Sequence, residues 1–213
     1  MNKTYQQFLK ENSGKTAVYT FGRFNPPTIG HEKLLRVVDT TSKKEGGDYF
    51  VYTSHSQDSK KNPLSHKQTI NFLKLIFSKH RPYIEDSTAT TALHAASDIY
   101  DKGGYSKLVM VVGSDRVRDF STLLNRYNDS KSKHGYYKFD SIEVISAGER
   151  DPDAEGADGM SASKMRQSVK DSDYDVFKMG LPSGTSDSIS KNLYNAVAKG
   201  MKLTINEMEK EYV

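Results

Sequence analysis

The apolar run in KLVMVVG, residues 107–113, constrains the fold of this chain more than any other feature. A strand without polar and apolar alternation is typical of a parallel sheet that is covered on both faces. Further strands are predicted at residues 16–21, 48–54 and 141–147, with a shorter one at 81–87, and helical patterns lie between them. This alternation predicts an α/β fold with a five-stranded parallel sheet and right-handed crossovers.

The ends of the helices can also be predicted from local signals. Ser65 and Gln68 have the spacing of a capping box, which predicts the start of a helix, and Gly103 predicts the end of the following one. The length of 213 residues fits one domain. We expect a core domain at residues 1–170 and a C-terminal helical extension at residues 171–213 that packs on the same domain.

Composition narrows the class of protein. The chain has no cysteine, which excludes disulfides and thiolate metal sites. It has no apolar stretch of membrane-spanning length and no signal-like N-terminus, so we expect a cytoplasmic protein without a membrane partner. The net charge of +4 includes five acidic residues at 149–158, where we expect a solvated loop. The absence of a lysine–arginine tract argues against nucleic acid as a partner, while a homo-oligomer is left open.

The segment TFGRFNPPTIGHEKLL, residues 20–35, joins the first predicted strand to a helix. If Thr28 caps this helix, the next three backbone N–H groups lie in its first turn, where they can bind an anion. Gly22 and Gly30 allow close approach of the backbone. Taken singly, Thr28 fits an ordinary N-cap and His31 fits a buried histidine. Together they indicate a phosphate-binding turn.

Two segments of the chain resemble a known family. GRFNPPTIGH resembles the Thr-x-Gly-His signature of the cytidylyltransferase-like nucleotidyltransferase superfamily. SASKMR is similar to its Ser-x-Thr/Ser-x-x-Arg motif, with serine where threonine is commoner, and VVGSDR is similar to its Gly-x-Asp segment. GRF followed by a proline, and the Asn-Pro loop KKNPLSHKQ, are similar to nicotinamide-mononucleotide adenylyltransferases. The matching motif residues are Thr28, Gly30, His31, Gly113, Asp115, Ser161, Ser163 and Arg166.

This resemblance covers about residues 16–170 and implies a Rossmann-like, doubly wound sheet. It also implies transfer of a nucleotidyl group from a nucleoside triphosphate to a phosphorylated small molecule, with Mg²⁺ accompanying the triphosphate and few protein ligands for the metal. The implied catalytic residues are Thr28, His31 and Arg166. The implied nucleotide-binding residues are Gly22, Arg23, Phe24, Gly30, Gly113, Asp115, Ser161 and Ser163, and the implied acceptor-binding residues are Lys61 and Asn62.

Several alternatives remain at this point. ATP with nicotinamide mononucleotide is the leading substrate pair, and CTP with a phospho-alcohol or phospho-sugar is the second. A nucleotide-binding module without catalysis is a third hypothesis. TIGH and MSASK are also similar to the paired motifs of class I aminoacyl-tRNA synthetases, for which the chain is short. Asp115 fits a helix cap as well as a ribose contact.

Overall fold

The structure is a computed structural model that describes residues 14–148 and 159–203. The predicted acidic loop at 149–158 and the N-terminal segment therefore lie outside the described residues. The chain divides into two compact units. Among the described residues, unit 1 contains 14–21, 34–52 and 89–148, and unit 2 contains 22–33, 53–88 and 159–203.

Strands and helices alternate along the described residues. The elements, in chain order, are β1 (Lys15–Gly22), α1 (Ile29–Glu45), β2 (Asp48–Thr53), α2 (His66–Ile76), α3 (Ala92–Lys102), β3 (Tyr105–Val112), α4 (Val117–Tyr127), β4 (Ser141–Ser146), α5 (Ala162–Lys170), α6 (Tyr174–Met179) and α7 (Asp187–Gly200). Short 3-10 helices occupy Ser78–Tyr83 and Ser114–Arg116. None of these helices combines the length and apolar content that a membrane crossing needs.

A parallel sheet with the strand order β2-β1-β3-β4 organises unit 1. β3 pairs in parallel with β1, where Val18 lies opposite Val109, and with β4, where Leu108 lies opposite Ile142. The apolar run of β3 is buried because the strand has a neighbour on each side and packed side chains on its faces. The predicted α/β fold with a parallel sheet flanked by helices is therefore confirmed.

The prediction of a fifth strand at residues 81–87 is wrong, because the sheet in the described residues has four strands. Its first three residues instead end a 3-10 helix, Ser78–Tyr83, which contains Pro82, and a single β-bridge at Ile84 takes the place of a strand. Proline cannot donate a ladder hydrogen bond, which disfavours pairing at this position. The remaining residues up to Thr90 offer only Ile84 and Ala89 as buried apolar side chains. Such a segment has too little apolar surface to form a buried strand.

The local signals for helix ends are confirmed. The Ser65 side chain accepts a hydrogen bond from the Gln68 backbone, and the Gln68 side chain accepts one from Ser65, which completes the capping box. Gly103 follows α3 with φ +75°, a conformation that favours glycine. The Ser161 hydroxyl accepts a hydrogen bond from the Lys164 N–H and caps α5.

Unit 2 has its own apolar core, which holds α5 in place. Leu64, Met165, Phe177, Leu193 and Val197 are each 0% exposed and belong to one cluster. Burying one such side chain fully contributes about 1.5–3 kcal/mol. Met165 and Val169 of α5 are thus directed into this core, and Arg166 lies outside it.

Candidate functional site

The turn between β1 and α1 begins unit 2 and contains the first predicted motif. Its start is held by a hydrogen bond from the Ser54 N–H to the Gly22 carbonyl, 2.8 Å long. Phe24 has φ +47°, a left-handed conformation that is uncommon for a bulky residue and that costs of order 1–3 kcal/mol. The peptide bond between Asn25 and Pro26 is cis. α1 starts directly after this turn, at Ile29.

His31 is oriented by Thr28. The Thr28 N–H donates to His31 Nδ1 at 2.9 Å, and Thr28 Oγ1 lies 3.1 Å from the same nitrogen. Because a backbone N–H can only donate, Nδ1 must carry the lone pair, and the proton of the neutral ring is on Nε2. The predicted pair is brought together, and it leaves His31 with Nε2–H as its hydrogen-bond donor.

The first turn of α1 offers fewer anion-binding N–H groups than the sequence suggests. Ile29 N–H donates to the Gly180 carbonyl at 2.8 Å, and His31 N–H donates to the Thr28 carbonyl at 2.9 Å. Gly30 is exposed, and no acceptor for its N–H is present among the described residues. The N–H groups of Ile29 and His31 are therefore engaged within the protein, and Gly30 N–H is the backbone donor of this turn that suits a phosphate oxygen.

Phe24 supports the histidine ring. The centroids of the Phe24 and His31 rings are 4.7 Å apart, with the planes inclined by 55°. The Phe24 side chain is only 1% exposed, so it has little surface to offer a nucleotide. Thr28 fixes one ring nitrogen of His31 and Phe24 packs against the ring, which together restrict its orientation.

The second motif meets the first through Arg166. Its Nη1 donates to the Asn25 carbonyl at 2.7 Å, and its Nη2 donates to Ser163 Oγ at 3.0 Å. These residues are 141 positions apart in the chain. Planar guanidinium is suited to several directed bonds at once. The structure thus brings Arg166, with Ser163 bonded to it, to the turn that precedes His31, whereas the contact of the Ser161 hydroxyl is the cap of α5.

Asn25 is a site residue to which the sequence assigned no role. It is only 4% exposed, and its side chain both donates to the Leu64 carbonyl and accepts from the Leu64 N–H, at 2.9 Å each. The backbone carbonyl of Asn25 accepts the hydrogen bond from Arg166 Nη1. The only signal for this role in the sequence is the position of a polar residue between Phe24 and two prolines. Asn25 therefore links the turn after β1 to the segment before α2 and to α5.

Charges of both signs lie around the guanidinium of Arg166. Burial lowers the pKa of Arg166, the carboxylate of Asp58 opposes this change, and the positive charge of Arg23 lowers the pKa further. Arginine stays protonated in proteins, so two guanidinium groups share this region with one carboxylate. An anionic ligand would relieve their repulsion, which favours phosphate binding here.

The Asn-Pro loop is ordered by Asp58. Its Oδ1 accepts hydrogen bonds from the N–H groups of Lys60 and Lys61 at 2.8 and 2.6 Å, and its Oδ2 accepts one from Asn62 Nδ2. Asn62 is 6% exposed, whereas Lys61 is exposed. Of the two predicted acceptor-binding residues, Lys61 is therefore the one with an accessible side chain. Asn62 holds the loop together.

The family of the protein can be stated once this geometry is known. A model of the cytidylyltransferase-like family matches residues 19–168, which include both motifs. The chain belongs to this family. No curated protein matches the chain. Membership supports a nucleotidyltransferase activity and the binding of a nucleotide substrate.

Two predicted residues of this cytidylyltransferase-like protein lie in unit 1. Gly113 and Asp115 follow the end of β3 and are exposed. Asp115 lies within the 3-10 helix Ser114–Arg116, and α4 begins after Arg116 without a side-chain cap. The alternative of Asp115 as a cap of α4 is therefore wrong, and its contact with ribose stays a prediction.

A histidine pair follows β2 in the same protein. The rings of His55 and His66 are stacked, with centroids 3.7 Å apart. His55 Nε2 donates to the Ser87 carbonyl at 2.9 Å, and His66 Nδ1 lies 2.9 Å from Thr53 Oγ1. Burial lowers the pKa of His66, His55 lowers it further, and Asp86 opposes them. The pair ties the end of β2 to the segment after the 3-10 helix.

The order of the Asn-Pro loop is expected to depend on pH. Hydrogen bonds, first of all from the Lys61 N–H, lower the pKa of Asp58 from 3.8 to about 2. Because the folded pKa is below the unfolded one, the stabilising effect is fully present above pH 3.8 and is lost as the pH falls through about 2. Thermal melting of wild type and Asp58→Asn at several pH values between 5 and 2 measures how this stabilising effect changes with pH. The melting temperatures should differ at pH 5 and converge near pH 2, and a constant difference would contradict the role of Asp58.

Proposed function

We propose that this protein transfers a nucleotidyl group from a nucleoside triphosphate to a phosphorylated small molecule and releases pyrophosphate. The observation that supports this most is the 2.7 Å hydrogen bond from Arg166 Nη1 to the Asn25 carbonyl. This bond brings the arginine of the second motif to the turn that orients His31. In this proposal the two motifs form one cationic, hydrogen-bond-donating site, as a reaction among phosphates requires.

The reaction needs no covalent intermediate with the protein. A phosphate oxygen of the acceptor attacks the α-phosphorus of the triphosphate and forms a new phosphoanhydride bond. The bond from the α-phosphorus to the bridging oxygen breaks, and pyrophosphate leaves with that electron pair. The protein aligns the two phosphates and stabilises the charge that develops on their oxygens. Gly30 N–H and His31 Nε2–H would bind one phosphate group, and Arg166 with Arg23 would hold the leaving pyrophosphate.

Mg²⁺ enters this proposal with the nucleotide. Within residues 14–148 and 159–203, no three His, Asp or Glu side chains are grouped as metal ligands. The Asp58 carboxylate beside Arg166 is already occupied by N–H donors. Mg²⁺ commonly keeps several waters and is bound by substrate phosphates. The magnesium complex of the triphosphate is therefore the substrate that we expect.

ATP and nicotinamide mononucleotide are the substrate pair that we place first. Support comes from the similarity of GRF and the Asn-Pro loop to nicotinamide-mononucleotide adenylyltransferases. In this proposal, the exposed Lys61 meets the phosphate of the acceptor. CTP with a phospho-alcohol or phospho-sugar is the second candidate, because the matching family is described as cytidylyltransferase-like. The cytoplasmic location stays a prediction, and a homo-oligomeric state stays open.

Pyrophosphate release tests the proposal. Purified protein with Mg²⁺ would be given ATP or CTP, each alone and each with a panel of phosphorylated acceptors headed by nicotinamide mononucleotide. We expect release only when a nucleotide and an acceptor are both present. Binding of ATP without release for any pair would contradict the enzyme and favour a nucleotide-binding module.

A further inference from the structure

We infer that Gly180, which follows α6 and lies beyond the family match, is a positioning residue for the proposed reaction. It sets the spacing between α1, which carries His31, and α5, which carries Arg166. This inference rests on the proposed function for its kinetic effect. The contacts that support it lie entirely within unit 2.

The first contact fixes the start of α1. The Gly180 carbonyl accepts a hydrogen bond from the Ile29 N–H at 2.8 Å. The first N–H groups of a helix have no partner within the helix, so an acceptor from another segment determines where the helix end lies. Ile29 is the first residue of α1 and precedes His31 by two positions. The position of Gly180 is therefore transmitted to the turn that orients the histidine.

The second contact involves α5. A Cβ atom placed on Gly180 would lie 2.6 Å from both Cγ and Sδ of Met165. Met165 is 0% exposed and directly precedes Arg166. Gly180 has φ −77° and ψ −2°, which any residue adopts. Glycine is therefore needed here for the distance between two segments, and not for an unusual backbone conformation.

Gly180 is itself held in place, so it can serve as a fixed spacer. Its N–H donates to the Phe177 carbonyl at 3.1 Å, and the Leu181 N–H donates to the Lys178 carbonyl at 3.0 Å. Phe177 is 0% exposed and packs in the same core as Met165. A side chain at position 180 would consequently displace Met165 or break the bond to Ile29.

Because Met165 is fully buried and close-packed, room for this Cβ requires a shift of α5 or of the segment at Gly180, and such a shift would separate the two motifs. Arg166 is bonded to the Asn25 carbonyl on one side, and Met165 is in contact with Gly180 on the other. A misplacement of about 1 Å in a reacting site can cost about 100-fold in rate. We therefore expect Gly180→Ala to lower kcat about 10- to 100-fold, with a much smaller change in KM.

The experiment uses the full chain and four variants. Gly180→Ala introduces the clash, Met165→Ala removes the atoms that are struck, and the double variant combines both. Gly184→Ala is the matched control, because its Cβ would have no atom within 4 Å. Each protein is measured for kcat and KM, for thermal melting, for affinity to inorganic tripolyphosphate, and for deuterium exchange of the Ile29 amide.

We expect a lower kcat and faster exchange of the Ile29 amide in Gly180→Ala. Both values should recover in the double variant, and neither should change in Gly184→Ala. An unchanged kcat in Gly180→Ala, or a double variant no better than the single one, would overturn the inference. If wild type turns over no substrate pair, the proposed function fails. The deuterium exchange of the Ile29 amide then tests the spacer role of Gly180 by itself. Faster exchange that Met165→Ala reverses supports the spacer, and unchanged exchange overturns it.

Discussion

Replacing His31 with alanine is expected to lower kcat about 100- to 1,000-fold, the range found when one donor to a developing charge is removed. The physical reason is the loss of the Nε2–H donor, which exists because Thr28 occupies Nδ1 at 2.9 Å. The variant should remain folded. The Thr28 N–H would lose its acceptor, at a cost of about 1–3 kcal/mol. Pyrophosphate release with ATP and nicotinamide mononucleotide, beside thermal melting, measures both effects.

His94 offers a matched control for this variant. It lies in α3 of unit 1, so His94→Ala also removes an imidazole but leaves the two motifs unchanged. We expect its kcat to stay close to that of wild type. Normal turnover in His31→Ala would show that the assignment of the donor is wrong. An equal loss in His94→Ala would point to damage of the fold.

Arg166→Ala is expected to have a comparable effect, a loss of about 100- to 1,000-fold in kcat, since it removes the cation that would hold the leaving pyrophosphate. Arg166→Lys separates charge from geometry. Lysine keeps the positive charge, but its single ammonium is not a planar fork, so it cannot reproduce the bonds to the Asn25 carbonyl and Ser163 Oγ. We expect Arg166→Lys to remain impaired, by about 10-fold or more.

Lys170 provides the control on the same helix. It is exposed at the end of α5, and Lys170→Ala removes one positive charge without touching the bond to Asn25. Steady-state kinetics of the three variants, with the KM for the nucleotide recorded separately, completes the measurement. Full activity in Arg166→Lys would mean that charge alone is required. Equal losses in Lys170→Ala and Arg166→Ala would mean that net charge, and not position, governs the rate.

Features that depend on neighbours in the chain were predictable. Thr28 and His31 are three residues apart, and so are Ser65 and Gln68, which are spacings that a helix start brings together. The apolar run of β3 likewise predicts burial from composition alone. Family resemblance then added the pairing of two motifs that periodicity does not connect.

Contacts between distant segments were not predictable. The bonds of Asn25 to Leu64 and of Ile29 to Gly180 join residues that no repeating pattern relates. Both bonds involve backbone atoms, which nearly every residue type has, so the sequence does not indicate which residue is the partner. The false fifth strand has a related cause, because Pro82 and few buried side chains outweighed a short β-like pattern. Tertiary context decides such cases.

The division of unit 2 among three stretches of chain has a consequence for biosynthesis. The turn at residues 22–31 leaves the ribosome early, yet Arg166 and Gly180, which hold it, are made much later. At about 5–20 residues per second, the turn waits on the order of 10–30 s for the partners between Arg166 and residue 203. A turn that is synthesised well before its partners is thus among the last segments of unit 2 to reach all its native contacts.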